Sequence, residues 1–182
     1  MKKQILLATA ALALSGAAAA QTYGVISVGS SKHDIDCAGA ATCDESGNAF
    51  KLLGGYKFSP NFAIEGGYMS YGKSKAADPG ISLDLTVDGF GIGGAFHQDF
   101  ATNWNFVARL GLAQMKTKAR ATLGASSGSD SDSSAQLYGG LGVGYKLTKQ
   151  LSVGAAWDFS RAEFAGEKAD VNAYSLGLTF DF

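Results

Sequence analysis

His33 and His97 are the two histidines of the chain, and one of them stands beside groups that could serve nucleophilic chemistry. Ser30, Ser31, His33 and Asp34 supply a hydroxyl, a base and a carboxylate, the raw ingredients for acyl transfer on a lipid ester. Such residues are also ordinary loop composition. No spacing here supports a catalytic unit, so the expectation is a protein that is not an enzyme. Cys37 and Cys43 are the only cysteines and lie in a Gly/Ala-rich segment. A metal site would want further His or Cys nearby, so the pair fits a loop disulfide better. Such a bond closes a short loop and pins it locally. No metal or cofactor is called for.

The glycine-rich pieces GFGIGG (89–94) and GGLGVG (139–144) resemble phosphate-binding loops only in composition. No helical pattern follows either one, and that reading fails. More informative are charges that stand singly in small-residue surroundings: Lys51, Glu65, Arg109, Lys146, Asp158 and Asp181. The elements that carry them explain why.

The clearest element is the last. Tyr174, Leu176, Leu178, Phe180 and Phe182 share one face, while Ala173, Ser175, Gly177, Thr179 and Asp181 share the other. Period two is a strand. The pattern recurs upstream. Leu137, Leu141, Val143, Tyr145 and Leu147 oppose Gln136, Tyr138, Gly140, Gly142, Gly144 and Lys146. Leu151, Val153, Ala155, Trp157 and Phe159 oppose Ser152, Gly154, Ala156 and Asp158. Phe106, Ala108, Leu110 and Leu112 alternate with Val107, Arg109, Gly111 and Ala113. Phe90, Ile92 and Phe96 make another apolar face. Phe62, Ile64 and Tyr68 oppose Ala63, Glu65, Gly67 and Met69, and Leu52, Tyr56 and Phe58 oppose Lys51, Leu53 and Lys57. A weaker strand over about 22–30 turns Ile26 and Val28 outward. That makes eight strands.

The connections alternate in length. Ser59-Pro60-Asn61, Gln98–Asn103 and Thr148-Lys149-Gln150 are short. About 31–48, 73–82, 117–135 and 160–171 are long, and the third, containing ATLGASSGSDSDSSA, reads as a mobile loop. This order is that of an eight-stranded antiparallel up-and-down barrel with both termini at the short-turn end.

The chain opens with Met1-Lys2-Lys3, an apolar stretch Ile5–Leu14 and a small-residue run in which Ala18 and Ala20 form an A-x-A cleavage signal. Residues 1–20 therefore read as a removed signal peptide and 21–182 as one barrel domain. Losing Lys2 and Lys3 leaves 13 basic against 16 acidic residues, with no basic stripe for nucleic acid. No later segment approaches eighteen continuous apolar residues, which excludes a helical membrane protein. A soluble barrel would put its large apolar residues inside and its charges outside. Here Lys51, Glu65, Arg109, Lys146, Asp158 and Asp181 fall on the glycine-rich face. That inversion places lipid outside, and closure satisfies every strand edge in hydrocarbon. Isolated charges in a narrow lumen should pair, with Glu65 opposite Arg109 and Lys51 competing for Glu65.

The segment AFKLLGGYKFSPNFAIEGGYMSYGK (49–73) resembles the OmpA transmembrane-domain family, including its small stand-alone barrels. The resemblance rests on Gly54-Gly55-Tyr56, Pro60-Asn61, the run Ala63 to Tyr68, Ala108-Arg109-Leu110-Gly111, and the aromatic strand ending at Phe182. It implies an outer-membrane barrel whose terminal strand (Tyr174, Leu176, Leu178, Phe180, Phe182) is read by the outer-membrane assembly machinery. It also implies that Glu65 and Arg109 are interior charges of the lumen. The family's peptidoglycan-binding domain has no counterpart here.

The function expected is therefore non-enzymatic: membrane integrity and surface interactions through four long extracellular loops. The alternative is a narrow, low-conductance pore gated by Lys51, Glu65 and Arg109. The partners expected are outer-membrane lipid and lipopolysaccharide and the assembly machinery. A small barrel without sheet edges is most simply a monomer.

Overall fold

The computed structural model describes residues 21–33, 42–44, 46–78, 81–123, 126–164 and 167–182. The signal-peptide reading, Asp34 and Cys37 lie outside those residues. The strands are β1 (Thr22–His33), β2 (Thr42–Asp44), β3 (Ser46–Lys57), β4 (Phe62–Asp78), β5 (Ile81–Asp99), β6 (Trp104–Leu123), β7 (Ser126–Lys146), β8 (Leu151–Phe164) and β9 (Glu167–Asp181). Each barrel strand pairs antiparallel with its sequence neighbour, and β1 pairs with both β3 and β9. The eight long strands thus close on themselves, and no residue in the wall's middle is left at an edge. β2 is a short addition to the outer part of β4, where Cys43 stands opposite Ala76.

Alternation carries the wall. Ile26, Val28, Leu52, Ile64, Ile92, Leu110, Leu112, Leu176 and Leu178 are exposed on its outer surface. Their neighbours in the chain, among them Ser27, Leu53, Glu65, Arg109, Ala113 and Ser175, are buried inside. Aromatic rings line the outside in pairs near the strand ends. Phe50, Tyr68 and Phe90 form a row on β3, β4 and β5, with centroid separations of 6.4 and 5.2 Å. Trp104 and Tyr145 meet at 5.1 Å toward the other end. Amphipathic rings at two levels are what a membrane's two interfaces favour.

The three short turns lie at one end. In the first, Ser59 Oγ accepts the Phe62 amide at 3.0 Å; in the third, Thr148 Oγ1 accepts the Leu151 amide at 3.0 Å. Hydroxyls that satisfy turn amides make these connections tight.

The opposite end differs from expectation. In place of three of the long loops, the strands run on as hairpins: β4 to Asp78 and β5 from Ile81, β6 to Leu123 and β7 from Ser126, β8 to Phe164 and β9 from Glu167. The Ser/Gly/Asp-rich run expected as a mobile loop is the outer half of β7, paired with β6 from Leu123↔Ser126 onward. Lengthening a ladder already registered by the barrel closes no new loop, so weak β-formers suffice there. β7 pairs with β8 only from Gly139 to Lys146, which leaves its outer half as a sheet edge. Serine, glycine and aspartate on that edge suit water rather than another apolar strand.

β4 contains one irregularity. Its pairing with β5 shifts between Ser70 and Gly72, and Gly72 has φ +73°. The extra residue, Tyr71, turns inward beside Met69, and beyond it Ser74 is buried while Lys73 and Lys75 face out. A glycine at positive φ is the usual device for such a bulge.

Candidate functional site

Two ion pairs bridge the lumen. Glu65 on β4 lies between Gly55 of β3 and Gly93 of β5, so neither neighbour fills the space above its side chain. Arg109 on β6 lies between Ala95 and Gly140. Its Nε donates to Glu65 Oε2 at 2.7 Å, and both groups are buried. Tyr23 Oη donates to the other carboxylate oxygen at 2.6 Å. His97 Nε2 lies 3.0 Å from the same hydroxyl, with the two rings edge to face at 5.2 Å. A carboxylate so deeply placed is kept by such charge-assisted contacts.

The second pair is Lys51 of β3 with Asp158 of β8, Lys51 donating to the carboxylate across the lumen; both residues are buried. Lys51 was expected to compete for Glu65. Glu65 is level with Gly55, four residues from Lys51 along β3, roughly 13 Å at strand rise. That distance hands Lys51 to Asp158. At the short-turn end Lys57 pairs with Asp181 at 2.5 Å and lies over the Tyr23 ring. Lys146 pairs with Asp99 at 2.5 Å.

Tyr23, Met69, Tyr71, Met115 and Tyr138 pack the space around these pairs. A cavity of about 50 Å³ touches Ser27, Lys51, Asn105, Arg109, Ser152 and Ser175. It has room for a few waters. Sequence reading named Lys51, Glu65 and Arg109 and missed Tyr23, His97 and Tyr138. Tyr23 shares the inward period of Val25 and Ser27, and that signal sat in the weakest strand of the pattern.

Among the described residues of the nucleophilic set, no serine is bonded to His33. Ser30 faces outward, while Ser31 and His33 are buried on the inward face of β1. Ser31 Oγ donates to the Tyr71 carbonyl. His97 lies in β5 at the lumen mouth, beside Tyr23. The terminal ladder Tyr174, Leu176, Leu178, Phe180 and Phe182 is exposed on the outer surface as one stripe.

A closed eight-stranded wall, apolar outside and charged within, with hairpins at one end, defines a small transmembrane barrel. The chain belongs to the outer membrane protein beta-barrel domain family, whose sequence profile matches residues 5–182, and it is a bacterial outer-membrane protein. Its fold is that of several solved barrels. The attachment invasion locus protein Ail of Yersinia pestis superposes with a TM-score of 0.59 at 18% identity, covering 89% of this chain and 99% of that one. Neisserial surface protein A gives 0.61 at 16% identity, covering 88% and 97%. The N-terminal β-barrel domain of OprF from Pseudomonas aeruginosa gives 0.53 at 13% identity, covering 89% and 98%. No curated protein matches the chain by sequence.

Proposed function

We propose that the barrel is a non-enzymatic anchor whose projecting hairpins make contacts at the cell surface while the wall supports membrane integrity. The observation that carries this reading is the β6–β7 ladder. It continues from Gln114↔Ala135, level with the Phe90 row, to Leu123↔Ser126, and every residue of β7 from Ser126 to Ser133 is exposed. A rigid, solvated extension on a membrane-fixed base is a surface for recognition. Ail carries the name attachment invasion locus protein and was crystallised in complex with the heparin analogue sucrose octasulfate. Transfer of an attachment role to this chain is part of the proposal. The same reading takes residues 1–20 as a cleaved signal, residues 21–182 as the folded domain, and the protein as a monomer delivered by the assembly machinery.

The test compares bacteria displaying the intact protein with bacteria displaying a variant lacking residues 119–130. Adhesion to epithelial cells or matrix-coated surfaces should fall to the level of cells without the protein, at equal outer-membrane amounts. Undiminished adhesion removes the contact part of the reading.

The polar lumen favours one second reading, a narrow pore opened when the pairs rearrange. Single-channel recording of the refolded protein beside its Glu65→Ala variant separates the two. Reproducible openings altered in the variant support the pore, and a silent bilayer with intact β-type circular dichroism supports the anchor.

A further inference from the structure

Outside the wall, β6 changes character along one face. Leu110 and Leu112 are exposed apolar residues, Gln114 is level with Phe90, and then Lys116, Lys118 and Arg120 follow on the same outward face. At about 3.4 Å per residue they stand roughly 7, 14 and 20 Å beyond the ring row along the strand. A tilt of about 40° lowers those heights by about a quarter. Lys116 and Lys118 then fall within reach of the headgroup layer, which extends roughly 5–8 Å beyond the hydrocarbon on each side. Their flexible stems extend that reach further.

The neighbouring strands complete a cradle around this column. In register across the sheet, Lys73 of β4 stands beside Thr86 of β5, Thr86 beside Lys118, and Lys118 beside Ser131 of β7. Two ammonium groups thus flank a hydroxyl, with a second hydroxyl at the end of the row. A groove of about 420 Å³ lies over this place, lined by Lys73, Asp84, Thr86, Lys118, Arg120 and Ser131. The bulge at Gly72 is what turns Lys73 outward to meet it.

The charge is mixed but leans positive. Asp88 approaches Lys118 at 3.7 Å on an exposed surface, Asp84 is in register with both Lys75 and Arg120, and Asp130 also lines the groove. Asp44 lies in register opposite Lys75, and Asp88 stands in register opposite Lys116, so Lys73, Lys116, Lys118 and Arg120 face Asp84, Asp88 and Asp130 with one cation in excess. Among the described residues the one ion pair in this group is long and solvated, so it competes weakly with an incoming anion.

We infer that the Lys73–Thr86–Lys118–Ser131 row, with Lys116 and Arg120, binds the phosphate groups of an outer-leaflet glycolipid. Its acyl chains lie on the Leu110–Leu112 face directly below. A membrane lipid is favoured over a soluble polyanion because cations and apolar residues share one continuous outward face of one strand. The ammonium groups hold phosphate as point charges, and the hydroxyls donate to its oxygens.

The test uses the whole refolded protein in a zwitterionic detergent, titrated with fluorescently labelled lipopolysaccharide and read by anisotropy. Lys118→Gln/Arg120→Gln should weaken binding by about fivefold per charge removed, the effect of one cation near an anionic lipid surface. Lys118→Arg should retain binding, and Lys149→Gln, at a short turn on the opposite end, should not matter. Dephosphorylated lipopolysaccharide should bind wild type and variant equally weakly. The heat-dependent gel shift reports folding of each variant; Lys73→Gln, on a different strand, carries the same prediction if the double variant does not fold. Affinity unchanged within twofold in the variants overturns the proposal. So does full competition by inorganic phosphate at equal phosphate concentration, or residue-dependent binding of a sulfated polysaccharide without residue-dependent binding of the lipid. Loss of lipid binding with adhesion intact would separate this site from the surface-contact reading.

Discussion

Arg109 reaches Glu65 across the lumen: Nε lies 2.7 Å from Oε2, joining β6 to β4 past the strand between them. The contact is therefore not a product of local pairing. It ties one side of the cylinder to another, and Tyr23 of β1 holds the carboxylate's second oxygen. Removing one partner leaves a charge inside with no counterpart.

From this follows an asymmetry between single and double substitution. Glu65→Ala should lower unfolding stability by about 3–5 kcal/mol, the range for breaking a buried pair by removing one partner. Glu65→Ala/Arg109→Leu should cost clearly less than the sum of the single variants, because no charge is then left alone. Urea unfolding of the vesicle-inserted protein, followed by tryptophan emission, measures both. Additive losses would mean that the two side chains act independently.

Gly72 is the second test point. Its φ of +73° is strained for any residue with a Cβ, and a Cβ there would stand 2.5 Å from the Asn48 carbonyl oxygen. Gly72→Ala should destabilise by about 1–2 kcal/mol from the left-handed conformation alone, with the close approach adding to it. Gly128, which has nothing within 4 Å of the same built atom, is the control, and Gly128→Ala should be near neutral. Equal effects at the two positions would remove the special role of the bulge.

How far these features were legible in the sequence depends on what each face meets. Between the aromatic rows one face meets lipid and the other the lumen, so Leu176, Leu178 and Phe180 against Ser175, Gly177 and Thr179 could be read directly. On the outer half of β7 both faces meet water. Ser126 to Ser133 carries no apolar period, and strand and loop look alike there. The Glu65–Arg109 pairing followed from two opposite charges in one narrow interior. The partner of Lys51 did not, because Asp158 comes to face it only through the level at which each strand passes the lumen. Tyr23 was missed for a related reason: one inward aromatic in a short pattern says little until the carboxylate it serves is located.

The terminal stripe leads to a prediction about assembly rather than stability. Phe182 is exposed on the outer surface and packs on Phe180 at 5.1 Å, with its amide donating to the Thr22 carbonyl at 3.0 Å. Phe182→Ser keeps that amide. It should leave refolding in detergent nearly unchanged, yet reduce the amount reaching the outer membrane of cells several-fold. Quantifying folded and unfolded bands in membrane fractions reads this out. An equal deficit in detergent would make Phe182 a stability residue and not a recognition signal.

The last prediction concerns the boundary between base and extension. Residues 119–130 form the tip of the β6–β7 hairpin, and Lys118 and Ser131 are already cross-strand partners. Deleting the tip and joining those two positions with Asn-Gly, whose residues accept the positive φ of a two-residue turn, preserves every pairing below it. No lumen residue of either ion pair is touched, the outer half of β7 has no β8 partner to lose, and the only neighbour affected is the outer end of β5, which gives up its pairing with β6 from Leu85↔Ala119 to Ile81↔Leu123. The shortened protein should therefore unfold within about 1 kcal/mol of the parent, as expected for changes distant from the buried network. Urea midpoints in vesicles, with the heat-dependent gel shift as a check on closure, give the comparison. A loss of several kcal/mol would show that the hairpin stabilises the barrel itself, and the division into anchor and projecting surface would have to be abandoned.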